Sequence, residues 1–338
     1  MTAIPELMRY IEVAEPGGPE ALRITTGPVP RPGPGEVLVR VEAAGINRAD
    51  LLQRQGHYPP PPGASPILGM EISGRVAGFG PGATGRWRAG DPVCALLAGG
   101  GYAEYCVAPE GQCMAVPADT SVRDAAAIPE AAITVWANLF EPRRLVAGNL
   151  FLVQGGSSGI GTMAIQIAHA FGARVATTAG TDEKCRFCLS LGADTAINYR
   201  SQDWAAELAR WSQPHGIDCI LDMIGGDYFA KHVGLLATGG RLVHIAFSHG
   251  SLVTVDLRAM MTKRLLITGS TLRPRTVAEK SSLARAVEQE LRPLFASGQL
   301  RPIVDTAFPL ERAADAHRLM ESGRHTGKIV LETRPLET

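Results

Sequence analysis

The chain has no excess of either charge: 338 residues carry 33 Lys and Arg against 33 Asp and Glu, a formal net charge of zero. A balanced chain has no overall field to draw in a nucleic-acid backbone or an anionic membrane, so neither partner is expected. Long apolar runs are missing as well. Nowhere do ~18 apolar residues follow one another, and the opening MTAIPELMRYIEVAEPGG has no basic stretch leading into an apolar one, so neither a spanning helix nor an export signal is expected. Cysteine is sparse, with six residues at 94, 106, 113, 185, 188 and 219. In a chain this long they make no framework of the small secreted kind, and a cytoplasmic protein is the expectation. Internal repeats and low-complexity segments are absent from the sequence.

What is present divides in two. The length is about twice that of an average domain. The first 125 or so residues are rich in Gly and Pro, with short β-type runs such as EVLVRVEAAG and ISGRVAGFG cut by RPGPG and PPPPGASP. That texture predicts a compact β-rich domain. From Ser121 the pattern changes to helical RDAAAIPEAAITVWANLF, then apolar strands (NLFLV, RVATTA, TAINY, IDCILDMI, GGRLVHIAF, RLLITGS) alternating with helices. Strands that are apolar at nearly every position and separated by helices predict βαβ units and a doubly wound parallel sheet of about six strands. A helix over roughly 277–296, a β segment, a helix near 310–322 and a last strand GKIVLE have no sheet of their own. They are expected to return to the first domain, giving residues 1–125 with 274–338 as one domain and 126–273 as the other.

The segment QGGSSGIGTMAIQIAHAFGAR follows the strand NLFLV and opens a helix. Gly156, Gly159 and Gly161 there form a turn at a helix N-terminus whose backbone amides, with Ser157 and Ser158 adding hydroxyl donors, can receive a pyrophosphate, so Gly156, Ser157, Ser158, Gly159 and Ile160 are candidate cofactor contacts. The same glycines could serve packing alone, but a strand, glycine triplet, helix and second strand in register form a far more specific signal. The second strand ends TTAGTDEK. Thr178, Ala179 and Gly180 are uncharged, and Lys184 lies one helical turn on, which suits a 2′-phosphate and so NADPH over NADH. Asp182 and Glu183 complicate this reading, although both sit where carboxylates favour a helix N-terminus. Lys184 could equally be a solvated helix lysine.

With these parts together, the chain resembles the medium-chain dehydrogenase/reductase superfamily over nearly its whole length. GINRADLLQRQGHYPPPPGASPILGMEISGRV, PEAAITVW, GGSSGIGTMAIQ, TAGTDEK, LDMIGG and GKIVLE resemble its zeta-crystallin-like NADPH:quinone oxidoreductases. The resemblance implies a Rossmann domain beside a GroES-like catalytic domain, with NADPH reducing a quinone in a cleft between them. Zinc-dependent members carry a cysteine in the segment matching Gly45–Asp50 and a histidine matching Met70. Here those places hold Asn47 and Met70, and no cysteine occurs around Ala131–Thr134, so no catalytic metal is expected. Cys94, Cys106 and Cys113 are too few for a structural zinc lobe. Cys185 and Cys188 form a lone C-x-x-C inside a helix, where buried or half-buried thiols are expected.

Without a metal, the acceptor must need little polarisation, as a quinone does, or find hydrogen bonds. Tyr58, on a proline-stiffened loop that lines the active-site cleft in the resembled family, could hydrogen-bond or protonate a developing oxyanion. It could also be a loop tyrosine packed on prolines, and neighbouring His57 is expected to be exposed. The resemblance places Asn47 at the nicotinamide ribose, Thr134 on the nicotinamide side and Tyr199 near the adenosine phosphate. Asparagine is also common in turns on its own account. Ile224, Phe247, Ser248, Leu272 and Arg273 lie at or beyond later strand ends, where a doubly wound sheet holds its ligand, and are candidate walls of the nicotinamide pocket.

Three other readings compete. A short-chain dehydrogenase has a similar glycine turn, but that turn lies near its N-terminus and is accompanied by a Tyr-x-x-x-Lys pair; here Tyr228 and Lys231 are three apart. A zinc-free reductase of activated C=C bonds, acting on 2-alkenals or enoyl thioesters, shares the fold. A cofactor-sensing protein whose real partner is RNA or protein is the third. The apolar strand RLLITGS is an edge candidate for pairing with a second copy, and a homodimer is expected.

Overall fold

The computed structural model describes residues 4–141 and 143–333. The chain forms two compact units, one from the residues up to Ile133 together with those from Leu272 onward, the other from Thr134–Thr271.

In the first unit β1 (Leu7–Val13) and β2 (Leu22–Pro28) form an antiparallel ribbon. A larger sheet begins with β3 (Glu36–Gly45), followed by α1 (Arg48–Arg54), β4 (Glu71–Phe79), β5 (Pro92–Leu96), β6 (Tyr105–Pro109) and β7 (Cys113–Ala115). The expected single helix after Ser121 is two helices, α2 (Val122–Ala125) and α3 (Pro129–Leu139). Proline disfavours helical backbone in the residue before it but fits the first turn of a new helix, so the break falls at Pro129.

The second unit contains β8 (Leu150–Val153), α4 (Gly159–Ala170), β9 (Arg174–Ala179), α5 (Asp182–Ser190), β10 (Thr195–Asn198) and α6 (Trp204–Trp211). It continues through β11 (Ile217–Asp222), α7 (Tyr228–Leu235), β12 (Leu236–His244), α8 (Leu257–Lys263) and β13 (Leu266–Gly269). All six strands are parallel, in the order β10-β9-β8-β11-β12-β13. The order reverses between β8 and β11, the switch point at which a doubly wound sheet opens a crevice beyond its strand ends. Phe151, Leu152 and Val153 are fully buried, as strands covered on both faces require. The short helix α8 gives little periodic signal in the sequence. Its start is fixed locally by the Asp256 carboxylate, which accepts from the amide of Arg258 at 2.9 Å.

The chain then runs through α9 (Val277–Ala296), β14 (Val304–Pro309), α10 (Ala313–Ser322) and β15 (Lys328–Glu332). β15 pairs antiparallel with β3, and β14 lies parallel to β15, so the large sheet reads β14-β15-β3-β4-β5-β7, with β6 also on β3. Val37, Val39, Ile72, Val93 and Leu331 pack in one core beneath this sheet. Each such side chain contributes about 1.5–3 kcal/mol on burial. All six cysteines are buried and unpaired.

Candidate functional site

In the second unit, the turn between β8 and α4 is shaped by close backbone approaches. Gly155 has φ of 70°, and a Cβ on Gly161 would overlap Gly155 O and the Gly156 backbone. A Cβ on Gly156 would overlap the side chain of Thr177 on β9. Glycine is therefore required for the turn to fold against both its own helix and the next strand. The Ser158 hydroxyl oxygen caps α4 by accepting from Gly161 N at 3.0 Å. Ser157 is buried, and the first-turn amides of Gly159 and Ile160 have no protein partner among the described residues. Two unpaired amides at a helix N-terminus, approachable because no side chain fills the turn, fit an anionic phosphate.

At the end of β9 the local geometry brings Gly180 and Tyr199 together: a Cβ on Gly180 would lie 2.9 Å from the Tyr199 hydroxyl. Tyr199 is 41% exposed and presents its ring there. Asp182 is engaged by Asn198, whose Nδ2 donates to its carboxylate at 2.6 Å. Thr181 caps α5 by accepting from Lys184 N at 3.2 Å, which places the half-buried Lys184 in the first turn. Beyond β11 a buried carboxylate organises the next turn: Asp222 accepts from Ile224 N and Gly225 N, both at 2.9 Å, and lies 3.0 Å from His244 Nδ1. Burial resists its ionisation, but the His244 hydrogen bond, nearby His232 and these amides together hold its pKa below the usual range. Ile224 is positioned by that turn, while Phe247 and Ser248 follow β12 and are exposed. Thr134, on α3, is buried, and its carbonyl accepts from Asn138 Nδ2 at 2.8 Å.

In the first unit, the sequence signal at Asn47 proves to be part of a buried ionic cluster. Asn47 Nδ2 donates to Glu71 Oε1 at 2.9 Å, while its Oδ1 accepts from Lys328 Nζ at 2.7 Å. Lys328 Nζ lies 2.5 Å from Glu71 Oε1 and donates to Ile46 O at 3.0 Å. The second oxygen of Glu71 accepts from Glu130 N at 2.8 Å, in the first turn of α3. Asp50 accepts from Asn47 N at 2.8 Å and Gly69 N at 3.1 Å. Burial raises its pKa to about 6, against the opposing pull of those amides and Lys328. Behind it Tyr102 donates to Asp50 at 3.3 Å and contacts His317 at 3.1 Å, which in turn meets Arg54. Asn47 is thus held by Glu71 and Lys328 rather than standing free.

Tyr58 is half-buried and His57 exposed. The Arg273 guanidinium lies 5.2 Å from the Tyr58 ring centroid, a cation–π distance. It also donates to Tyr58 O at 3.1 Å, Ala98 O at 2.8 Å and Gln53 Oε1 at 2.6 Å. Burial raises the Tyr58 pKa, partly offset by Arg273. Arg273 anchors the Tyr58 loop within the first unit. Leu272 beside it is buried in the same unit.

Met70 is buried between strand and loop, and among the described residues no group of three or more His, Cys, Asp or Glu is arranged to hold a metal. An amide and a thioether at the two matching positions are a poor donor set for zinc. The residues that sequence reasoning passed over are Glu71, Glu130 and Lys328. They lie far apart along the chain, and only the pairing of β15 with β3 brings Lys328 to Glu71. PEAAITVW did single out the segment that contains Glu130.

A GroES-like unit closed by its own C-terminal strands, joined in sequence to a Rossmann unit with a glycine turn at β8, defines a medium-chain dehydrogenase/reductase. Family models described as an alcohol dehydrogenase GroES-like domain and a zinc-binding dehydrogenase match residues 33–118 and 191–331. The human protein named quinone oxidoreductase is 32% identical over 329 residues, covering 96% of this chain and 98% of that one. The chain belongs to the quinone oxidoreductase family of that superfamily. The crystal structure of Escherichia coli quinone oxidoreductase complexed with NADPH is 29% identical, with a TM-score of 0.86 over 96% of this chain and 99% of that one. A structure titled NAD-dependent alcohol dehydrogenase is 35% identical, with a TM-score of 0.85 over 97% and 100%.

Proposed function

We propose that the protein is a zinc-independent NADPH:quinone oxidoreductase. The observation that carries the cofactor is the glycine turn, with unpaired amides at Gly159 and Ile160 and an uncharged strand end followed by Lys184. The names of the human and Escherichia coli relatives support quinone as acceptor and NADPH as donor. When bound, the cofactor supplies a hydride. The Gly156–Ile160 turn holds its pyrophosphate, Gly180 and Tyr199 flank the adenosine end, and Lys184 meets the 2′-phosphate. Ile224, Phe247, Ser248 and Thr134 border the nicotinamide. Asn47, fixed by Glu71 and Lys328, and Tyr58, fixed by Arg273, form the acceptor side. Tyr58 orients the acceptor oxygen, and a quinone, already strongly electrophilic, needs alignment more than a Lewis acid.

The test is a titration of NADPH against NADH for the wild type and Lys184→Ala. The expected result is a preference for NADPH that falls by about tenfold or more in the variant, the loss of one charge-assisted contact. An unchanged preference removes the cofactor assignment. A second reading, reduction of 2-alkenals or enoyl thioesters, is favoured by the phenol of Tyr58, since reduction of a C=C bond requires a proton at the α-carbon. Turnover of enoyl substrates equal to or above that of naphthoquinones would establish it instead.

A dimer through β13 fits the same reading. Leu266 is 41% exposed on this edge strand and Met261 on the preceding helix is 73% exposed, apolar surface that a second copy would cover. Six unpaired cysteines fit the reducing cytoplasm.

A further inference from the structure

We propose that the first unit carries a further binding site, for an aromatic acid that also bears a hydroxyl group, in a cavity apart from the residues assigned to the reduction above. The cavity has a volume of about 620 Å³, within the range of small-molecule sites. It is bordered by β1, β2, β6, the loop before β4 and the first turn of α9, so all of its walls belong to one unit. Neither Asn47 nor Tyr58 lines it.

The apolar walls are stiff. Pro28 and Pro30 stand at the end of β2, Pro61 and Pro62 on the loop before β4, and Tyr10 and Tyr105 add half-buried side chains from β1 and β6. Proline rings hold their backbone near one φ, so these walls are preorganised rather than shaped by the arrival of a ligand. Rigid ring faces and phenols favour a planar aromatic occupant over a flexible chain.

The polar groups decide what that occupant carries. Gln112, in the turn between β6 and β7, is 1% exposed and lines the cavity. Its Nε2 donates to Leu96 O at 3.2 Å, which fixes the amide orientation because a carbonyl only accepts. Its Oε1 is left buried without a donor among the described residues. A buried acceptor of this kind is rare and costly, and a ligand hydroxyl supplies the missing hydrogen. Lys280, on α9, is 4% exposed and lines the same cavity. Among the described residues its ammonium donates only to Arg273 O, at 3.4 Å, and Glu130 attracts it from beyond ion-pair distance. The remaining N–H bonds are open to an anion.

These two side chains come from adjacent backbone: a Cβ on Gly111 would lie 2.6 Å from Ser281 Oγ. Cation and bare acceptor therefore share one wall. Of the other charged side chains at the cavity, Glu36 is engaged by Gly33 N at 2.8 Å and Arg31 is exposed, so the charge left over is positive. A carboxylate meets Lys280, a hydroxyl meta to it donates to Gln112 Oε1, and the rings lie against the prolines. An ortho hydroxyl would bond to its own carboxylate instead.

The probe is 4-hydroxy-2-naphthoate, titrated by calorimetry into the unliganded full chain beside 2-naphthoate and 1-naphthol, which lack one polar group each. Saturable binding of the probe with a Kd below about 1 mM is expected. Lys280→Met is expected to weaken the probe at least tenfold, the loss of one charge-assisted contact, and to leave 1-naphthol as in the wild type. Gln112→Met is expected to weaken it roughly threefold or more and to leave 2-naphthoate unchanged. In the wild type, equal affinity for all the compounds, or no saturable binding up to ~5 mM, overturns the inference without any variant having to fold. Probe binding that survives Lys280→Met and is lost in Tyr58→Phe places the probe on the acceptor side and overturns it too. No cofactor or quinone enters the titration, so its outcome is separate from that of the reductase reading.

Discussion

Replacing Lys328 by Met removes the cation of the buried cluster and leaves its carboxylate behind. Lys328 and Glu71 are 6% and 0% exposed in their side chains, with Nζ and Oε1 2.5 Å apart. Breaking such a pair from one side costs about 3–5 kcal/mol, because the remaining charge has neither water nor a counter-ion. Ile46 O and Asn47 Oδ1 also lose their donor, but these bonds belong to the same ammonium and are contained within that figure rather than added to it. The assay is urea unfolding followed by far-UV circular dichroism. The midpoint is expected to fall with the slope unchanged. Lys328→Met with Glu71→Gln should recover about 1–4 kcal/mol, since a neutral amide can still accept from Glu130 N without an unpaired charge. A loss below ~1 kcal/mol in the single variant, or no recovery in the double, would refute the description of this site as a charge-balanced buried cluster.

Two further outcomes follow from the same geometry. Gly161→Ala places a Cβ against the backbone of Gly155 and Gly156, so the turn must open. NADPH affinity measured by cofactor fluorescence is expected to drop at least tenfold, and retained affinity would show that this turn does not bind the pyrophosphate. On the acid side, burial holds His317 at about 3 and His232 at about 4, against an ordinary value of 6.5. As pH falls below 6.5 the unfolded chain takes up protons that the native histidines refuse, so stability is lost towards pH 4. Asp50, raised to about 6, acts in the opposite direction over part of that window. His317→Gln should lose less stability on acidification than the wild type, and an equally steep acid limb would disprove the assignment.

Alternating apolar runs and turn signals determined much of this protein before any contact was known. Strands read as apolar at every position became the six parallel strands, and the glycine spacing after NLFLV became the β8–α4 turn, because both patterns express local sterics and two-sided burial. The helix from Val277 carried its own start signal, with Thr276 and Glu279 forming a capping box. The break at Pro129 was present in the residues too, but the apolar texture on both sides concealed it.

Only the tertiary structure decided the electrostatics. Asn47 is 281 positions from the lysine that holds it, and Glu71 is 59 from the amide it accepts. No local pattern encodes such pairs, since they arise from the return of the C-terminal strand to β3. Arg273 reads in sequence as a residue just past a strand end, yet folding turns it to the Tyr58 loop. Glu130 stands in the sequence as an ordinary first-turn helix glutamate. Burial and the carboxylate of Glu71 push its carboxyl up, conditions that exist only once three distant segments have packed together.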